Sequence, residues 1–268
     1  VAKTYEMAQR PEFEETMTVV SHLTGRKINR FTHIFQSSRD LVLKSKMGRL
    51  LGAHTGCCFQ RCVGMDALNT LSIVTHAIDQ AKGTPYNARF LKFLAHVQEN
   101  DLVCDGAMTD PKGDRSLAPH QQADPDLYLR VVQERPDGIV VRGAKAHQTG
   151  ALNSHQIVVM PTATMREADQ AYAVAFATPA DTPGITYIMG RQSCYTRKRE
   201  GHPMDVGNLY YGGHEALMIF DDVFVPWERV FMYKEYEFTG PLVEKFTAYH
   251  RQSYACKVGV GDVLIGAT

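Results

Sequence analysis

Over the first hundred positions, apolar residues recur at the spacing of a helix face. Residues 12 to 25 are predicted as a short helix closed by Gly25. A second helix begins at Ser37 or Ser38, with Asp40 in its first turn and Leu41, Val42, Met47, Leu50 and Leu51 as its apolar stripe. A third runs from about Cys57 through Cys62, Met65, Leu68, Leu71, Val74 and Ile78 to Lys82-Gly83, and a fourth from Asn87 to Gln98. Near Asp101 the texture changes to turn clusters and short β-rich runs. Strands are predicted at 127–132, 139–142, 156–160, 172–177, 186–190, 216–220 and 223–225, the first two joined as a hairpin across Arg135-Pro136-Asp137-Gly138. From Phe238 the helical period returns, with Leu242, Val243, Phe246 and Tyr249 on one stripe. Helices, then strands, then helices make an α+β chain with its layers segregated by domain.

Composition narrows the function classes. Lys+Arg and Asp+Glu both total 29, so no basic excess points to nucleic acid. No apolar run is long enough to cross a bilayer, and no signal-peptide pattern opens the chain, so no membrane partner is expected. The cysteines cluster instead of spreading as a disulfide framework, and a reducing cytoplasm is the expected compartment. Both ends read as cut: Val1 opens inside a helix-like stretch, and the apolar run 258–265 ends with nothing left to bury it.

Cys58 and Cys62 are four apart, which on a helix puts both sulfurs on one face. Near the end of the chain, His250 and Cys256 complete a Cys3His set suited to zinc or to an iron–sulfur cluster, and spacing does not separate the two. The plainer reading is buried cysteines and a core histidine. Two loops have the make-up of a ligand cradle: Met108-Thr109-Asp110-Pro111-Lys112-Gly113-Asp114-Arg115 and Lys145-Ala146-His147-Gln148-Thr149-Gly150. Neither is a G-x-G-x-x-G or Walker loop, and ordinary polar turns remain the alternative. Glu215, at a strand mouth, is a candidate general base or a solvated turn residue. The run Arg197-Lys198-Arg199 reads as a phosphate contact or a solvated loop, and Cys104 and Cys194 have no arguable partner.

The stretches CFQRCVGMDA (58–67), ENDLVCDGAMTDPKGDR (99–115), GIVVRGAKAHQTG (138–150), GRQSC (190–194), YGGHEAL (211–217) and YHRQSY…CKVGVGDV (249–263) span nearly the whole chain. Together they resemble the 4-hydroxybutyryl-CoA dehydratase (vinylacetyl-CoA Δ-isomerase) family. That family sits in a wider group with the flavin-dependent 4-hydroxyphenylacetate 3-hydroxylases. The resemblance implies an acyl-CoA dehydrogenase-like fold: a helical domain over 1–104, a middle β-barrel over 105–238, and over 239–268 the truncated start of a C-terminal helical bundle. It further implies FAD, a 4Fe–4S cluster, an acyl-CoA substrate and a homotetramer. The reaction implied is dehydration of 4-hydroxybutyryl-CoA to crotonyl-CoA by a flavin radical route, with the cluster as Lewis acid.

Carried over by position, the cluster ligands fall on Cys58, Cys62, His250 and Cys256. His250 doubles as the base, and Glu215, Tyr254, Lys257, Thr149 and Gln60 match the other catalytic positions. The flavin cradle falls on Met108, Thr109, Asp110, Lys112, Gly113, Asp114 and Arg115, and on His147, Gln148, Thr149 and Gly150. One spacing departs from the family: five residues separate His250 from Cys256 instead of six. At about 100° per residue this turns Cys256 away from the histidine's face, unless the helix is distorted or unwound near Ala255. A flavin-dependent aromatic monooxygenase without a cluster, and a structural zinc protein, are the competing functions.

Overall fold

The computed structural model describes residues 1–190 and 215–267. Cys194, Arg197-Lys198-Arg199, most of GRQSC and the Gly212-Gly213-His214 stretch lie outside the described residues. The chain opens with two short helices, α1 (Ala2–Ala8) and α2 (Glu14–Met17), and a small antiparallel hairpin, β1 (Thr18–Val20) with β2 (Lys27–Asn29). The helix predicted over 12–25 is therefore corrected. The β-branched Thr18-Val19-Val20 run favours extended backbone, and Gly25 (φ +68°) serves the turn between strands instead of ending a helix.

Helix α3 (Ser38–Thr55) starts on a reciprocal capping box between Ser37 and Asp40 and stops at Gly56, whose φ of 62° lies in the left-handed region. Helix α4 (Cys62–Lys82) begins five residues later than predicted. Because Gly56 ends one helix, residues 57–61 form a connection between two helices. Helix α5 (Tyr86–Glu99) matches its apolar stripe.

The remaining strands are β3 (Cys104–Ala107), β4 (Arg130–Arg135), β5 (Gly138–Thr149), β6 (Gln156–Val159), β7 (Val174–Pro179), β8 (Ile185–Ile188), β9 (Glu215–Pro226) and β10 (Val230–Tyr233). They form two four-stranded sheets, ordered β10-β7-β6-β3 and β4-β5-β9-β8. All pairings are antiparallel except β3 with β6. The expected hairpin is present, Arg135 pairing with Gly138 across Pro136-Asp137. The two strands predicted at 216–220 and 223–225 are a single strand, β9, which bends at Asp222 (φ 49°), where the register shifts. Strands β3 and β10 carry no prior prediction; Cys-Asp-Gly-Ala in β3 has no apolar run to signal it.

The two sheets and helices α4 and α5 share one apolar core. Within it, Phe176 of β7 meets Phe220 of β9 edge to face at 6.3 Å. The chain then forms α6 (Thr239–Ser253) and α7 (Ala255–Ala267), broken at Tyr254, with α6 packed on α4 and α7 on α3. No helix among the described residues is long and apolar enough to cross a membrane.

Candidate active site

Cys58 lies in the connection between α3 and α4, and Cys62 is the first residue of α4, so one helix face does not hold the pair. The connection turns back instead through Gln60, which adopts a left-handed φ of 63°. That turn lets the Cys62 thiol donate to the Cys58 sulfur. This bond, then the Gln60 backbone N–H and the Lys257 charge, bring the Cys58 thiol down to about 6 against burial and the charge of Glu215. The same bond and burial push Cys62 up, so the pair tends to share one proton.

Cys256 arrives from α7. Helix α6 ends at Ser253 and α7 restarts at Ala255, so Cys256 is not bound to the face that an unbroken helix would give it six residues after His250. Helix α7 runs backbone to backbone along α3, where a Cβ at Gly52 would collide with the Cys256 carbonyl and one at Gly259 with the Arg49 carbonyl. Cys256 is only 3% exposed and stands close enough to Cys58 and Cys62 for their charges to act on one another. Among the described residues, no three His, Cys, Asp or Glu side chains close on one point as the ligands of a single ion do. A cluster binds each ligand through a different iron and needs no such convergence. Three neighbouring thiols, one of them readily ionised, fit its donor requirement.

His250 is fixed by a residue that the sequence reading missed. Asp66, fully buried on α4, accepts from His250 Nδ1 (3.0 Å), Ser253 Oγ (2.7 Å) and Lys44 Nζ (2.7 Å). Lys44 is itself buried, donates to the Tyr249 carbonyl (2.6 Å), and lies over the Phe35 and Tyr249 rings. The imidazole stacks on Phe246 at 5.4 Å and leans on the exposed Tyr254 at 5.7 Å. With Nδ1–H spent on a carboxylate, Nε2 is the nitrogen left to meet a ligand or a proton. The one signal for Asp66 was its position four residues after Cys62, on the same face of α4.

A third group comes from the sheet. Thr149 at the end of β5 donates to Glu215 Oε1 (3.0 Å) at the start of β9, its register partner. Gly150 (φ 91°) lies flush against the Gln60 backbone, leaving no room for a Cβ, and Asn153 donates to Gln60 Oε1 at 3.2 Å. Gln60, Thr149 and Glu215 therefore adjoin one another, and the charges of Glu215 and Lys257 both reach Cys58.

The two cradle loops lie side by side: Ala146 N–H donates to the Thr109 carbonyl at 2.8 Å, and Gln148 Nε2 to the same oxygen at 3.3 Å. His147 (φ 56°) and Lys112 (φ 73°) hold left-handed backbone without being glycine. Lys112 and Arg115 line a cavity of about 550 Å³ together with Tyr128, Thr164 and Arg166. Neither arginine, nor Lys112, has an ion-pair partner among the described residues, while the one carboxylate in the lining, Asp169, is engaged by His120 (2.7 Å), so the lining carries an excess of positive charge. Met108 is half-buried, and Asp114 is engaged by Ser116 Oγ (2.7 Å) and the Ser116 N–H (2.8 Å). The Asp110 side chain turns away from the cavity into the core, against Lys145. Thr164 and Arg166 come from the segment after β6, which the sequence reading did not include.

Residues 1–232 match the family described as 4-hydroxyphenylacetate 3-hydroxylase N terminal. The chain belongs to this family. Within the 4-hydroxyphenylacetate 3-hydroxylase family, it is 59% identical to the 4-hydroxybutyryl-CoA dehydratase/vinylacetyl-CoA-Δ-isomerase of Clostridium aminobutyricum, over all of this chain and 55% of that protein. A solved oxygen-tolerant archaeal 4-hydroxybutyryl-CoA dehydratase from N. maritimus superposes with a TM-score of 0.95 at 56% identity, covering 99% of this chain and 53% of that one. The oxygenase component of a 4-hydroxyphenylacetate 3-monooxygenase, solved with FAD, superposes with a TM-score of 0.79 at 25% identity over 99% of this chain and 54% of its own. The chain thus spans about half the length of the family members it matches, and shares its fold with both a dehydratase and an oxygenase.

Proposed function

We propose that the complete protein carrying this chain dehydrates 4-hydroxybutyryl-CoA to crotonyl-CoA and isomerises vinylacetyl-CoA, using FAD and a 4Fe–4S cluster. On this reading it is a cytoplasmic homotetramer with an acyl-CoA dehydrogenase-like domain order. One observation carries the choice within the family: the hydrogen-bonded Cys58–Cys62 pair with Cys256 beside it and an aspartate-held His250 nearby. An aromatic hydroxylase has no use for three gathered thiols.

The proton to be removed lies β to the thioester on an unactivated carbon, beyond the reach of any side-chain base acting alone. When bound, the flavin would supply one-electron chemistry and the cluster a Lewis-acidic iron. Cys58, Cys62, Cys256 and His250 Nε2 are the atoms placed to hold the cluster. The cavity beside the cradle loops, with Lys112, Arg115 and Arg166 outnumbering the single lining carboxylate of Asp169, suits the diphosphate of FAD. Asp66 keeps the His250 proton on Nδ1, so Nε2 is the atom that receives a proton once it is free of a ligand. Glu215, held by Thr149, and Lys257 beside Cys58 present a carboxylate and an ammonium to the same space.

Anaerobic purification of the complete protein, with iron, acid-labile sulfide and FAD quantified, should find all three together with crotonyl-CoA formation. FAD without iron, combined with hydroxylation of 4-hydroxyphenylacetate, would move the protein to the monooxygenase branch. Zinc without flavin would make it a structural zinc protein.

A further inference from the structure

Lys145 has no part in the chemistry above, yet it sits where the three cradle segments meet. It lies on β5 opposite Met218 of β9, and its side chain runs into the core, leaving 1% exposed. Its ammonium donates to the Met108 carbonyl (3.0 Å) and the Met160 carbonyl (2.8 Å) and faces Asp110 Oδ1 at 2.8 Å. Three donors meet three acceptors, so the group is fully satisfied. Asp110, 3% exposed, also accepts from the Leu129 N–H at 3.3 Å.

The two carbonyls are those of the residues that directly follow β3 and β6, the parallel neighbours of one sheet. From Met108 the chain enters the loop that brings Lys112 and Arg115 to the cavity; from Met160 it enters the segment that brings Thr164 and Arg166 there. The third segment, His147–Gly150, starts two residues beyond Lys145 and is tied to Thr109 by the Ala146 N–H. A single ammonium thus sets the exit points of all three. Burying a Lys–Asp pair is a poor way to gain stability, since apolar residues of similar volume often do as well or better. What apolar residues would not do is fix three separate oxygens at hydrogen-bond distance from one nitrogen.

We infer that Lys145 is a positioning residue for the flavin cradle: paired with Asp110, it holds the three loops in the arrangement that receives FAD without touching the cofactor. The inference rests on reading the cavity as the FAD site. It is tested in the complete protein with Lys145→Met and with the double variant Lys145→Met/Asp110→Asn, which buries no charge and keeps an acceptor for the Leu129 N–H. FAD affinity is read by equilibrium dialysis of the apoprotein, the bound flavin's environment by its visible spectrum, and fold integrity by the thermal midpoint without FAD. The single variant should bind FAD at least about tenfold more weakly, the size seen when support for a bound group is lost. The double variant should regain the thermal midpoint but not the affinity, and its bound flavin should show an altered spectrum. Wild-type affinity and spectrum in the single variant would overturn the inference, as would a double variant that regains affinity together with stability. Should the single variant fail to fold, the double variant alone decides. A wild-type protein that binds no FAD would remove the cavity reading itself, an outcome separate from any behaviour of the variants.

Discussion

Asp66 accepts from donors on two other helices, Lys44 of α3 and His250 and Ser253 of α6, and among the described residues Lys44 is the permanent charge that balances it. Replacing it with alanine leaves that ammonium buried without a counter-charge, a loss of about 3–5 kcal/mol. The urea midpoint of the Asp66→Ala protein should fall accordingly, and a variant as stable as wild type would show the network to be slack. Asp105 is the opposite case. It is buried on β3, its Oδ2 has no hydrogen-bond partner among the described residues, and burial pushes its carboxyl up from 3.8 to about 7. Below pH 4 both folded and unfolded chains hold this proton. Between 4 and 7 only the folded chain keeps it, so this contribution to stability declines as pH rises, by up to about 4 kcal/mol, and is gone above 7. Asp105→Asn should therefore flatten the fall in thermal midpoint between pH 5 and pH 8; an unchanged slope would count against the assignment. At this scale the sequence was legible where chemistry is written in rare residues: Cys58, Cys62, Cys256 and His250 were all singled out. Lys44 and Asp66 were not, and Lys145 was read only as the start of a cradle loop, because a buried charge and a solvated one are spelled alike, and only packing distinguishes them.

Among elements, the arm formed by α6 and α7 shows how local and tertiary signals compete. The helical period from Phe238 onward was correct, but a continuous helix would have turned Cys256 away from the face of His250. Beyond the break at Tyr254, α7 lies in close backbone contact with α3 at Gly52 and Gly259. Gly52→Ala should push α7 off and weaken iron binding roughly 10–100-fold, as when a ligand's support is lost, while FAD per chain stays at its wild-type level. Equal iron content in that variant would separate Cys256 from the metal. The third helix was misread for a related reason. Its apolar stripe is real from Cys62 onward, but Gly56 stops the preceding helix, and the cysteine pair depends on a turn that periodicity does not see.

On the scale of the molecule, the site is assembled from parts distant in the chain: Cys58 between α3 and α4, Thr149 on β5, Glu215 on β9, His250 on α6 and Cys256 on α7. Helix-strand-helix order and the β4–β5 hairpin were readable because their signals are local. The pairing of β3 with β6 and the two-sheet arrangement were not, since partners so far apart leave no mark on either strand. His250→Cys is informative at this scale, because it offers iron a fourth thiolate while removing the proposed base. Iron should be retained and kcat should fall about 10²–10⁴-fold; full turnover would show that the base lies elsewhere.

The interruption at Tyr254 gives histidine and cysteine separate anchorages. The imidazole is moored to α4 through Asp66, whereas the Cys256 sulfur rides on a segment clasped to α3. Rotation of the imidazole about its own bonds would leave that clasp untouched. Were the proposed cluster seated on Cys58, Cys62, Cys256 and His250, exchange at the histidine corner would then be compatible with the sulfurs keeping the inorganic core in place.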